Sequence, residues 1–133
     1  MMGTRDDSLG RTTPIGAALK NAAGPLMRQI RKYTAMSAFV AALPDELDGL
    51  AAPYDLRLAR RERLDGEGVE DLNVMFVWCA NATVQGVIEL RKAQLMQQAN
   101  ARLPYKLVED LRMETASPVK IARQLNILRA QPD

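Results

Sequence analysis

Residues Asp71–Leu103 read DLNVMFVWCANATVQGVIELRKAQLMQQANARL, and the change of period inside this stretch decides the fold. Up to Cys79 the apolar residues follow a pleated chain. Leu72, Val74, Phe76 and Trp78 point one way, and Asn73, Met75, Val77 and Cys79 the other. Both sets are largely apolar, as in a strand covered on both faces. From Ala80 the period becomes helical and runs to Leu103. Val84, Val87, Ile88, Leu95 and Ala99 form the inner stripe, with Leu103 near its end, while Arg91, Lys92, Gln94, Gln97, Gln98 and Arg102 occupy the rest. Gly86 in this helix predicts close approach to a neighbour.

Upstream, Tyr54–Glu62 predicts a first strand, with Tyr54, Leu56 and Leu58 alternating against Asp55 and Arg57. Asp65-Gly66-Glu67-Gly68 is a glycine-punctuated turn, so the two strands read as an antiparallel hairpin with a loop of about eight residues. Before it, Ile15–Leu43 predicts helix, interrupted at Gly24-Pro25 into a short piece and a main one. The main piece carries the stripe Leu26, Ile30, Tyr33, Met36, Val40 and Leu43. Pro44 ends it, an acidic turn follows at Asp45–Gly49, and Pro53 closes the connection. Downstream, Leu107–Thr115 predicts a third strand. Ser117-Pro118 then starts a last helix, with Ser as N-cap and Pro at the first helical position. The order α–β–β–α–β–α predicts an α+β domain with helices packed on one face of a three-stranded sheet. The expected divisions are a loose tail at 1–14, the domain at 15–115, and a C-terminal helix or tail at 116–133.

Composition removes several function classes. The chain has 133 residues, no His and one Cys. Histidine metal sites, His-dependent triads and multi-cysteine zinc sites are excluded. No cofactor, metal or catalytic site is expected, and the P-loop pattern is missing. No apolar run approaches the roughly 20 residues of a membrane span, and no signal-peptide pattern is read at the start, so the expected setting is cytoplasmic. The formal charge of +2 hides an acidic middle: residues 1–44 carry +4, residues 45–75 carry −5 and residues 76–133 carry +3.

The stretch from Leu72 to Thr115 resembles the core of the DciA family, small bacterial proteins that act with the replicative helicase. The resemblance lies in the apolar strand LNVMFVW, the helix ANATVQGVIELRKAQLMQQANARL and the final strand VEDLRMET. Ile88, Lys92, Leu95, Met96 and Asn100 take the characteristic places. Upstream, AFVAALPDELDGLAAPYDLRLA resembles the family's first helix, proline-marked connection and first strand. The family's Trp near the end of the first helix is answered here by Phe39, and its Trp at the start of the long helix by about Val84. The resemblance implies a K-homology (type II)-like fold, a nucleic-acid platform, although the GXXG clamp of that fold is absent. It further implies binding to the replicative DNA helicase, support of its loading onto single-stranded or forked DNA, weak DNA affinity, a nucleoid-associated location and no ATPase activity of its own.

Candidate DNA contacts are Arg57, Arg60, Arg61 and Arg63 at the end of the first strand. Arg91, Lys92, Arg102 and Lys106 form a second set along and beyond the long helix. The alternative for the first set is a solvated strand end balanced by Glu62, Asp65, Glu67, Glu70 and Asp71; for the second it is a soluble helix face. Lys120, Ile121, Arg123, Leu125 and Leu128 on the last helix are candidate partner contacts, the alternative being docking on the domain's own core. Trp78 reads as packing more than as a base-stacking platform, and Cys79 as a buried small hydrophobe. Two other functions stay open: an RNA-binding K-homology-like domain, and a protein-only interaction module. Oligomeric state is not legible.

Overall fold

Two strands, β1 (Ala51–Glu62) and β2 (Val69–Cys79), pair antiparallel from Ala51↔Cys79 to Glu62↔Val69. A third, β3 (Asp110–Thr115), adds to β2 in parallel, from Val74↔Asp110 to Cys79↔Thr115. The sheet is therefore mixed, in the order β1-β2-β3. The computed structural model describes residues 14–104 and 106–130, with side chains from Gly24 onward. Four helices accompany the sheet: α1 (Pro14–Ala42), α2 (Ala82–Leu90), α3 (Lys92–Ala101) and α4 (Pro118–Arg129). The expected tail at 1–14 lies outside the described residues except for Pro14, which opens α1. The chain divides into two compact units, one up to Arg31 and one from Lys32 onward, and the sheet belongs to the second. Its mixed three-stranded sheet and helices are consistent with a K-homology-like arrangement.

Several expectations change. α1 is continuous through Gly24-Pro25. Proline removes one donor and crowds the carbonyl four residues back, but Gly24 has no Cβ to meet the proline ring, so the helix carries the loss. The buried face of α1 coincides only in part with the large-residue stripe. In the first unit Leu26 is 61% exposed and Ile30 48% exposed, whereas in the second Ala35, Met36, Ala38, Phe39 and Ala42 are buried. Small side chains at 35, 38 and 42 share the buried cluster with the larger Met36 and Phe39. Tyr33, Val40 and Leu43 pack at the margin.

β1 begins at Ala51, earlier than expected, and contains Pro53. The register jumps from Pro53↔Val77 to Asp55↔Phe76, leaving Tyr54 as the extra residue of a bulge. A bulge is where a strand tolerates proline. It also reverses the phase of the alternation. Leu56 packs with Met75 and Val77 towards the helices, while the Tyr54 ring turns to the other face and stacks on Trp78. Leu58, expected on the buried side, is 70% exposed. β3 pairs only with Val74–Cys79, so Val69–Leu72 has β1 as its one strand neighbour. There the hairpin runs on as a two-stranded ribbon to the turn at Gly66 and Gly68, both with positive φ.

The long helix is two helices meeting at Arg91, whose φ of −102° and ψ of 13° leave the helical region. The buried residues explain the break: Val84 and Ile88 in α2, then Leu95 and Ala99 in α3, with charged Arg91 and Lys92 where the stripe would continue. Gly86 has nothing within 4 Å of where a Cβ would stand, so no close neighbour explains it. β3 starts three residues later than expected. The preceding segment is held by Asn100, whose Oδ1 accepts from the backbone N–H of Leu107 (3.1 Å) and Val108 (2.9 Å), and whose amide donates to the Val108 carbonyl (2.8 Å). Glu109 then pairs with the Asn73 backbone through both its N–H and its carboxylate. Ser117 caps α4 by accepting from the Lys120 N–H, and Pro118 opens it, as expected. The α1, α2 and α3 residues close a core on Met75, Val77, Cys79 and Leu111. α4 lies along β1, with Ile121 and Leu125 against Ala52 and Leu128 entering the main core.

Candidate nucleic-acid interface

The three β1 arginines, and Arg63 just beyond the strand, each meet a carboxylate. Arg57 Nε donates to Asp55. Arg60 and Arg61 face Asp71 and Glu70 directly in the strand register, and pair with them at 3.4 Å and 3.1 Å. Arg63 reaches Asp65 at 2.9 Å across the turn. From Arg57 to Asp71, four arginines thus stand against five acids, Glu62, Asp65, Glu67, Glu70 and Asp71. Exposed pairs of this kind are worth about 0–1 kcal/mol, so a phosphate can compete for the cation, but the field around the ribbon is largely cancelled. Leu58, Leu64 and Val69 stand exposed on the same ribbon.

The second set divides between elements. Arg91 pairs with Glu46 of the 3-10 turn Asp45–Leu47 at 3.1 Å. Lys92 reaches Asp110 at the start of β3 at 2.6 Å, both side chains being only about a quarter exposed. Burial pushes the Asp110 carboxyl up. The Lys92 ammonium and the Leu111 N–H outweigh it and hold the group below the usual aspartate value. Lys92 therefore ties the helix break to the sheet. Arg102 donates to the Ala41 carbonyl at 3.3 Å. Lys106 is exposed, has no ion pair among the described residues, and borders an open cavity of about 470 Å³ lined also by Met96, Asn100, Val108 and Glu109.

On α4 the structure buries the three candidate aliphatics, Ile121, Leu125 and Leu128, in the protein's own core. Arg123 stays exposed. Lys120 places its ammonium 4.9 Å from the Trp78 ring centroid. Here lies the cluster that sequence reasoning missed. Tyr54 stacks on Trp78 with centroids 4.3 Å apart and planes at 15°. Phe76 lies 6.1 Å from Tyr54, and the Arg57 guanidinium sits 4.5 Å over the Phe76 ring. All three rings are half-buried. The Tyr54 hydroxyl donates to Glu114, and burial together with that carboxylate pushes its pKa up to about 12. Phe76 and Trp78 were visible together on one face of their strand, but not the Tyr54 ring beside them. The bulge that brings Tyr54 to it has no local signature beyond Pro53.

Cys79 is buried and its thiol is pushed up to about 11 by that burial, the opposite of an activated nucleophile. Among the described residues no group of three or more Cys, Asp or Glu could hold a metal ion, and no helix is long and apolar enough to cross a membrane. A family model described as "Dna[CI] antecedent, DciA" matches residues 14–113. No curated protein matches the chain.

Proposed function

The chain belongs to the DciA family, which has a replication-related role, and from that premise we propose that it binds the replicative helicase and assists its loading onto single-stranded or forked DNA. The observation that carries this is the family match over residues 14–113 of 133. The protein performs no catalytic step in this role. It acts in the cytoplasm, at the nucleoid, and touches DNA weakly. Weakness follows from the charge pattern: the arginines of the ribbon are matched by acids, so each phosphate contact first displaces a carboxylate. Among the candidate cations, Arg102, Lys106, Lys120 and Arg123 have no carboxylate partner among the described residues and are the easiest to bring to phosphate.

The test is fluorescence anisotropy of labelled single-stranded, duplex and forked DNA, at low and near-physiological salt, with and without the replicative helicase. Binding that weakens with salt and tightens on a fork or with helicase supports the loader reading, since counterion release makes phosphate contacts salt-dependent. Charge reversal at Arg60 and Arg61 then reports on the ribbon. The complete matching of the ribbon arginines by acids favours a second reading, a protein-only interaction module. Helicase capture without DNA binding under any condition selects it. Tighter binding to single-stranded RNA than to DNA, without helicase capture, selects an RNA-binding role instead.

A further inference from the structure

We propose that the sheet face carrying Tyr54, Phe76 and Trp78 is a stacking site for the bases of single-stranded DNA, an inference that rests on the DNA-contacting reading above. Half of the chain's six aromatic residues meet there. A ring that serves only as core is buried, as Phe39 of α1 is. These three rings are only partly buried, and cations rest on two of them: Arg57 over Phe76 and Lys120 over Trp78. A cation over a ring and a base over a ring use the same π surface. A base that takes the ring face sets the cation free, and the phosphates on either side of that base give it a partner.

The charges of the face suit a polyanion. Its two acids are already engaged, Asp55 by Arg57 and Lys32, and Glu114 by the Tyr54 hydroxyl. Lys120 has no carboxylate on it among the described residues, and Arg112, the β3 residue in register with Phe76, adds a further positive charge at the exposed surface. The phase reversal at the Tyr54 bulge is what creates the Tyr54–Trp78 stack; without it Tyr54 would point to the core face. Bases in duplex DNA are stacked on each other and cannot offer their faces, so the site takes single strands.

The sequence contains one tryptophan, so Trp78 reports on this face without labelling. The intact chain is titrated with oligo(dT) and with an abasic oligomer of equal length and phosphate number at one salt concentration, reading anisotropy and Trp78 emission together. The expected result is that oligo(dT) quenches Trp78 and binds roughly tenfold or more tighter than the abasic strand, as base–aromatic stacking predicts. Trp78 also contributes to packing, so its replacement can unfold the chain. Lys120→Glu is the safer variant: it puts a carboxylate over the ring from the exposed side of α4, and is expected to weaken oligo(dT) binding about tenfold with an unchanged thermal midpoint. Equal affinity for the two oligomers overturns the stacking site and leaves the DNA reading standing. Absence of binding to either oligomer, with and without helicase, overturns both.

Discussion

Asn100 shows how one side chain can stand in for a length of strand. Its amide satisfies three backbone groups of Leu107 and Val108 just before β3 begins, and both residues are buried. Asn100→Ala leaves two N–H groups and a carbonyl without partners, which costs about 2–4 kcal/mol. Urea denaturation should show that loss with little change in slope. Asn100→Asp, which keeps the acceptor and loses the donor, should recover part of it. A family resemblance marks this residue but does not say why; the reason is local and conformational. Tyr54 gives a second test. Its folded pKa is raised from 10.0 to about 12 by burial and by Glu114. The protonated form is favoured in the fold, so its contribution is complete below about pH 10 and is lost as pH rises towards 12. Tyrosinate absorbance should therefore show a late step that belongs to Tyr54. Tyr54→Phe should remove that late step and flatten the fall in stability over the same window.

At the scale of elements, the break between α2 and α3 has a charge at its centre. Lys92→Gln removes the ammonium that Asp110 faces while keeping most of the stem. The pair is neither open to water nor fully buried, so the loss falls between the two limits, about 1–2 kcal/mol. The sign with pH is defined as well. Asp110 is depressed by Lys92, so the pair's contribution is present above the ordinary aspartate pKa and disappears as pH falls through the lower folded value. Wild type should lose stability on acidification more steeply than Lys92→Gln, as chemical denaturation across that range would show. The sequence shows this helix and its end residues but not its interruption, because a charged pair at 91 and 92 looks like an exposed turn of helix until Glu46 and Asp110 arrive from elsewhere. Apart from Val69 and Glu70, which read as hairpin loop, β2 was legible, since both its faces are apolar from Asp71 onward. So were Ser117 and Pro118, whose capping is local. The parallel direction of β3 and the bulge at Tyr54 depend on what pairs with what, and neither leaves a periodic trace. The buried stripe of α1 was legible only in part, because Ala35, Ala38 and Ala42, which carry little weight in a hydropathy pattern, join Met36 and Phe39 in the core.

In the unit from Lys32 onward, the family match ends at residue 113, before α4, yet α4 completes the core. Ile121 and Leu125 cover Ala52, and Leu128 joins the cluster that includes Phe39 and Val77. This separates two roles that a short amphipathic helix can have. If the buried aliphatics are structural, Leu125→Ala creates a cavity costing about 2–4 kcal/mol and lowers the thermal midpoint whether or not a partner is present. If they were held for a partner, the same change would spare the isolated protein and remove only helicase capture. The buried positions predict the first outcome. Any partner contact through α4 then belongs to its outer side, where Val119 and Arg123 are exposed. Val119→Glu with Arg123→Glu is expected to leave the melting temperature within a degree or two, because surface changes of this kind shift stability by only about 0.5 kcal/mol. A fall in helicase capture by that double variant, with the melt unchanged, would place the helicase on α4. Unchanged capture would move the search to the ribbon and to Lys106.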